Sequence, residues 1–245
     1  MGEPVTHLRR QRLAAVLVVV GLLLVVWAGD VLSHRGAESL IARDVQSATG
    51  APELPTVDVA GRLFLPQVVR GAYRSVHVQV RGVRSGPLVI DTVDADLTDV
   101  RVPFHDVLVR DVRAVGVGHS EETARISYPA LNAYLEATGR PLRVVPAPDG
   151  RSVTLSGTLT VLDRRVMAAA DVALSVDDGN LRLTPQAIDS GGARLGATAQ
   201  LLLGQRLTLV VPLGSLPFSQ RLTAVEATPV GLVVHAAGDA VVLQP

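Results

Sequence analysis

Val153-Thr154-Leu155-Ser156-Gly157-Thr158-Leu159-Thr160-Val161 is followed, after Leu162-Asp163-Arg164-Arg165, by Val166-Met167-Ala168-Ala169-Ala170-Asp171-Val172-Ala173-Leu174-Ser175-Val176. Apolar side chains stand at Val153, Leu155, Leu159 and Val161, and again at Val166, Ala168, Ala170, Val172, Leu174 and Val176. Successive side chains of a strand point to opposite faces, so this period of two predicts two half-buried strands, joined as a long hairpin by the polar turn at 162–165. Asp177, Asp178, Gly179 and Asn180 predict a second turn, because Gly and Asn tolerate positive φ, leading into a strand at Leu181 and Leu183.

The same period extends in both directions. Val76, Val78 and Val80 alternate with His77, Gln79 and Arg81, and further strands are read at 207–211, 223–228, 232–236 and 241–243. In the stretch 88–102 the phase changes twice: Leu88 and Ile90 share one phase, Val93, Ala95 and Leu97 the other, and Val100 and Val102 return to the first. Two phase changes in one strand predict bulges, which bend and twist a sheet. Two segments carry helical spacing instead. Ala37, Leu40, Ile41, Asp44, Val45 and Ala48 fall on one face of a helix ended by Gly50, Pro52 and Pro55. Ser127 is placed to cap a helix over 128–138, with Pro129 in its first turn, Gly139 as its stop and Ala130, Leu131, Tyr134 and Leu135 as its apolar stripe. The fold class that follows is α+β: a long curved antiparallel β-sheet packed on two or three helices.

Ahead of this domain, residues 13–28 are 16 uninterrupted apolar or glycine residues behind Arg9, Arg10 and Arg12. A basic flank stays on the cytoplasmic side, so the expected organisation is a cytoplasmic N-terminus at 1–12, a transmembrane anchor or signal segment at 13–32, and an extracytoplasmic domain at 33–245. The length lies between a signal core, roughly 7 to 15 residues, and a full span of about 20. Val26 and Ala28 suit cleavage before Gly29, whereas Trp27, Val31 and Leu32 favour retention. The expected localisation is the cell membrane, single-pass, or secretion if the segment is cleaved.

Composition excludes several classes. The 23 basic residues are all arginine and balance 23 acidic ones. From Gly29 onward 20 Arg face 22 Asp and Glu, a formal charge of minus two, so no basic field exists to hold nucleic acid. Without cysteine the fold rests on its Val, Leu and Ala core, and a lipid-modified cysteine is excluded.

Catalytic patterns are poor, and the expectation is a protein that is not an enzyme and uses no cofactor or metal. No His-Glu-x-x-His, Gly-x-Ser-x-Gly or phosphate-cradling glycine loop occurs. Asp94-Ala95-Asp96 resembles an acidic metal-holding pair but falls on the polar face of a strand, and His77, His105, His119 and His235 lack ligand spacing.

The segment from Arg62 to Arg70 is the most suggestive local feature. Leu63, Phe64, Leu65, Val68 and Val69 crowd around Pro66 with Arg62 and Arg70 at the edges. Such a segment suits either an apolar tip entering a bilayer while the arginines pair with lipid phosphate, or a helical lid packed on the sheet. Leu216, Pro217 and Phe218 form a smaller candidate, at the mouth of a cavity.

The run Val57-Asp58-Val59 followed by Gly61-Arg62-Leu63-Phe64-Leu65-Pro66-Gln67-Val68-Val69-Arg70-Gly71-Ala72-Tyr73 resembles the LmeA-like phospholipid-binding family of cell-envelope proteins. Val211-Pro212-Leu213, Leu216-Pro217-Phe218-Ser219-Gln220-Arg221-Leu222-Thr223 and Thr228-Pro229-Val230-Gly231-Leu232 resemble its terminal pattern. Arg62 stands where the family usually has an aromatic or apolar residue, and Pro66 replaces a common polar one. The resemblance implies non-catalytic phospholipid binding in the bacterial envelope, in a fold akin to tubular lipid-binding domains. Phosphatidylinositol and phosphatidylglycerol are the lipids considered, with Arg62, Leu63, Phe64, Leu65, Val68, Val69, Arg70, Leu216 and Phe218 as the candidate lipid-binding residues; a curved sheet with a Val, Leu and Ala inner face, covered by apolar-faced helices, can leave an aliphatic groove for the acyl chains. The alternative is a membrane-anchored extracytoplasmic scaffold without bound lipid.

Overall fold

The period-two runs form strands, which the computed structural model divides between two antiparallel sheets. It describes the backbone of residues 5–61, 63–109, 115–161, 164–177, 179–191, 196–213 and 220–243, and side chains from Trp27 onward except at 107–109, 164, 241 and 243. Among these residues the strands are β1 (Thr56–Ala60), β2 (Ala72–Ser85), β3 (Leu88–Arg101), β4 (Val115–Ser127), β5 (Leu142–Pro146), β6 (Val153–Val161), β7 (Arg164–Asp177), β8 (Asn180–Asp189), β9 (Leu209–Pro212), β10 (Arg221–Thr228) and β11 (Gly231–Leu243). The helices are α1 (Val5–Thr49), α2 (Leu65–Arg70), α3 (Phe104–Val109), α4 (Tyr128–Ala137) and α5 (Ala197–Leu207).

One sheet has the order β1-β2-β3-β4-β11-β10, the other β5-β6-β7-β8-β9. The expected hairpin is β6 and β7, in register from Val153↔Val172 to Val161↔Arg164, and the turn after Asp177 leads into β8 through the pair Asp177↔Asn180. Their alternating apolar residues Val153, Leu155, Leu159, Val161, Val166, Ala168, Ala170 and Val172 are buried. The α+β antiparallel class is as the sequence predicts, with two curled sheets sharing the strands.

The phase changes in β3 happen without a shift of register. Pairs with β2 keep one register from Ala72↔Arg101 to Ser85↔Leu88, and pairs with β4 keep one from Thr92↔Arg125 to Arg101↔Gly116. Gly82, at φ +68°, lies between the pairs Arg81↔Thr92 and Val83↔Ile90. Asp99, at φ +52°, lies between Tyr73↔Val100 and Ser75↔Thr98. A left-handed residue changes which face the following side chains occupy, so Val80 and Val83 are both buried, as are Val93 and Ile90 opposite them. Left-handed residues therefore replace the bulges expected here. Register shifts occur elsewhere, at Asp171/Val172 and Leu222/Ala224.

Helix α4 begins as its sequence predicts: the Ser127 hydroxyl accepts the Ala130 N–H at 3.4 Å, and Tyr128, Leu131, Tyr134 and Leu135 are buried against β3, β4 and β5. Helix α5, unread in the sequence, buries Ala199, Leu203 and Leu207 against β6 and β8, so Leu207 closes a helix instead of opening a strand. Apolar residues of both sheets, α4 and α5 form one continuous core.

Helix α1 packs its C-terminal part on β1 and β2. Ala42 is buried, and Ala37, Ile41 and Val45 pack on the core, whereas Leu40, Asp44 and Ala48 face outward. Asp44 explains the rotation relative to the expected face: Leu40 and Ala48 share its stripe at i±4, and keeping the carboxylate in water carries both outward. Residues 13–26 of the expected membrane segment lie outside those with described side chains. Among the described residues no helix is long and apolar enough to cross a membrane.

Candidate functional site

The chain between β1 and β2 cannot continue as strand through Pro66, and it instead folds into the short helix α2, with the proline in the first turn where a missing N–H costs nothing. Phe64 occupies the capping position without a polar side chain of its own. The cap comes from α1. Asp30 Oδ2 accepts the Phe64 N–H at 3.0 Å and Oδ1 accepts the Leu65 N–H at 2.7 Å, satisfying two donors that a helix start leaves unpaired. Asp30 is 6% exposed, a carboxylate withdrawn from water and held by paired backbone donors.

The other end of α2 is fixed by Gly71, at φ +62°, whose N–H donates to Val68 O at 3.0 Å and whose carbonyl accepts the Val102 N–H at 3.0 Å. A Cβ at that position would stand 2.6 Å from Val102 O, so both the dihedral and the space call for glycine. Gln67 closes the segment from below, its amide donating to Ala60 O at 3.3 Å and Leu63 O at 3.2 Å and accepting from the Arg74 N–H at 3.3 Å.

Phe64 is buried, and its ring stacks on His34 of α1 with centroids 5.0 Å apart and 7° between planes. The Tyr73 ring lies 6.2 Å from that of Phe64, tilted by 41°. Glu38, one turn beyond His34, approaches its Nε2 at 3.2 Å and accepts the Val59 N–H at the same distance. Asp30, His34 and Glu38 thus form a row at i, i+4 and i+8 that fastens α1 to α2 and β1. The signal in the sequence is that spacing of polar groups immediately after an apolar run.

The predicted site residues divide clearly. Phe64 points inward as an anchor, and Val68 is half-buried against the core. Leu63, Leu65 and Val69 are exposed, at 53%, 37% and 65%, with Arg70 exposed beside them. The segment therefore has a packed inner side and an apolar outer side. Arg62, Leu216 and Phe218 lie outside the described residues. On α1, Trp27 stands one turn before Asp30 and is 61% exposed. Lone exposed apolar residues are ordinary, but Leu63, Leu65 and Val69 stand within seven positions of one short segment.

The acidic strand residues are occupied locally. Asp94 accepts from Gln79 at 2.6 Å and pairs with Arg125, and Asp96 pairs with His77 at 2.8 Å. Both carboxylates are engaged by side chains on adjacent strands, and among the described residues no three His, Asp or Glu converge as metal ligands.

Comparison with protein families gives a match to the model described as LmeA-like phospholipid-binding, over residues 28–237. A comparison with curated proteins gives no match.

Proposed function

We propose that this chain, which belongs to the LmeA-like phospholipid-binding family, is a non-catalytic phospholipid-handling protein of the bacterial cell envelope. In this reading residues 13–32 hold it at the outer face of the cytoplasmic membrane, and the domain takes acyl chains into an aliphatic groove between its sheets. Family membership supports the lipid. The Asp30 cap of α2 supports the geometry, since it ties Leu63, Leu65, Val69 and Arg70 to the point where the apolar run of α1 ends.

With residues 13–28 in the bilayer, α2 lies at the interface. Leu63, Leu65 and Val69 then enter the acyl boundary while Arg70 meets phosphate through its planar fork. Trp27 takes the interfacial position that its amphipathic ring favours. An anionic headgroup, phosphatidylglycerol or phosphatidylinositol, suits Arg70. The driving force is the acyl chain itself, worth about 0.8 kcal/mol for each methylene removed from water.

Native mass spectrometry of the detergent-released full chain tests this, paired with photo-crosslinking by phosphatidylglycerol carrying a photoreactive acyl chain. The expected result is bound lipid with adducts on inward-facing strand residues. An empty domain with adducts confined to residues 13–32 would sink the reading.

A further inference from the structure

The interior of the six-stranded sheet holds a carboxyl group with no partner among the described residues. Glu122 of β4 is 1% exposed, and among the described residues neither of its side-chain oxygens has a hydrogen-bond partner. Across the sheet it pairs with Ala95 on β3 and Ala236 on β11, so its flanking neighbours on the core face are small. Ser120, two residues earlier on the same face, is equally buried and donates to Gly238 O at 3.1 Å. Among the described residues no basic side chain is buried, so no internal counter-charge answers Glu122.

A buried polar group without a partner is costly, and native interiors retain few. An alanine-flanked carboxyl beside a hydroxyl in an otherwise aliphatic core instead suits a ligand that is mostly hydrocarbon and carries a hydrogen-bond acceptor. We propose that Glu122, beside Ser120, receives the ester-carbonyl end of a diacyl glycerophospholipid inside the domain. This rests on the lipid-handling reading above. Burial raises the Glu122 carboxyl to about 8, so at neutral pH it carries a proton and serves as a donor to that carbonyl.

The test compares wild-type full chain, Glu122→Gln and Glu122→Leu for binding of diester phosphatidylglycerol, its diether analogue lacking the carbonyls, and palmitate. Wild type is expected to prefer diester over diether by about tenfold, the worth of one hydrogen bond to a group otherwise left unpartnered. Glu122→Gln should keep the preference and Glu122→Leu should erase it. A preference that survives Glu122→Leu, or is missing in wild type, overturns the proposal, and palmitate displacing the diester at equal concentration overturns its assignment to a glycerophospholipid. Failure of wild type to bind any of the three refutes the lipid-handling reading itself. Infrared spectroscopy of wild type gives an answer independent of how the leucine variant folds. The protonated-carboxyl band, assigned by its loss in Glu122→Gln, should move to lower frequency on loading with diester phosphatidylglycerol, and a stationary band overturns the proposal.

Discussion

The carboxylate of Asp30 accepts the backbone N–H of Leu65 at 2.7 Å, across 35 positions of sequence, and so couples the long N-terminal helix to the segment that exposes Leu63, Leu65 and Val69. With the second bond from Phe64 and the stacked Phe64 and His34 rings, the joint is stiff at three points. The orientation of α2 is consequently set by α1 and not by its own six residues, too few for independent helical stability.

Replacing Asp30 by Ala removes both acceptors and leaves two buried or half-buried N–H groups unpaired. The expected cost is roughly 2 kcal/mol in urea unfolding of the full chain in detergent. Hydrogen exchange should accelerate at the Phe64 and Leu65 amides and stay unchanged in α4, where Ser127 provides a separate cap. Equal acceleration in both helices would show that Asp30 acts globally and not as a local tie.

Phe64 and its exposed neighbours should separate stability from lipid handling. Phe64→Ala opens a cavity under α2 and is expected to cost about 3 kcal/mol. Leu63→Ser with Val69→Ser removes apolar surface that is already in water, so stability should change by less than about 1 kcal/mol. Extraction of phosphatidylglycerol from vesicles should nevertheless fall several-fold in that double variant. Unchanged extraction would remove α2 from the lipid-facing surface.

The same division explains what was legible in the sequence. The hairpin of β6 and β7, the turn into β8 and the capped start of α4 follow from local spacing, because a strand period, a turn residue and a cap act over a few positions. Partition into two sheets depends on β11 lying beside β4, a pairing that joins Leu232 to Ile126 and carries no local signature. Asp30 reads in sequence as an interruption of an apolar run, and Glu122 as one acid among the alternating polar residues of a strand. Only the phase of β4, with Ala124 and Ile126 buried on the same face, turns Glu122 inward. For the outward patch, composition gave the membership of Leu63, Leu65 and Val69 but not the inward turn of Phe64, which requires His34 from α1.

Gly71 holds the far end of α2. Gly71→Ala places a Cβ 2.6 Å from Val102 O on backbone at φ +62°, so strain and steric overlap act together. The expected loss is about 2 kcal/mol in urea unfolding, with faster exchange at the Val102 amide that donates to Gly71 O. Gly179→Ala, also at positive φ but with open space around it, should cost less. Equal losses at the two positions would mean that the dihedral alone matters.

Glu122 makes the stability of the domain depend on pH with a defined sign. In the unfolded chain its carboxyl titrates in the ordinary range near 4.3, whereas in the folded protein burial raises it to about 8. Between those values the folded state holds a proton that the unfolded state has released, so stability falls as pH rises through the window. It is fully present below the ordinary carboxyl range and levels off above about 8. The gap corresponds to roughly 5 kcal/mol as an upper figure. His119, raised by its bonds to Asp239 and Glu121, adds a decline of the same sign as it loses its proton. Glu122→Gln leaves His119 in place and removes the buried acid, so the difference between the two proteins isolates Glu122. Urea midpoints measured from pH 5 to pH 9 should converge for wild type and Glu122→Gln at the acid end, and wild type should fall progressively below the variant toward pH 9. Parallel curves across that range would mean that Glu122 is ionised throughout and has found water or a cation inside the domain.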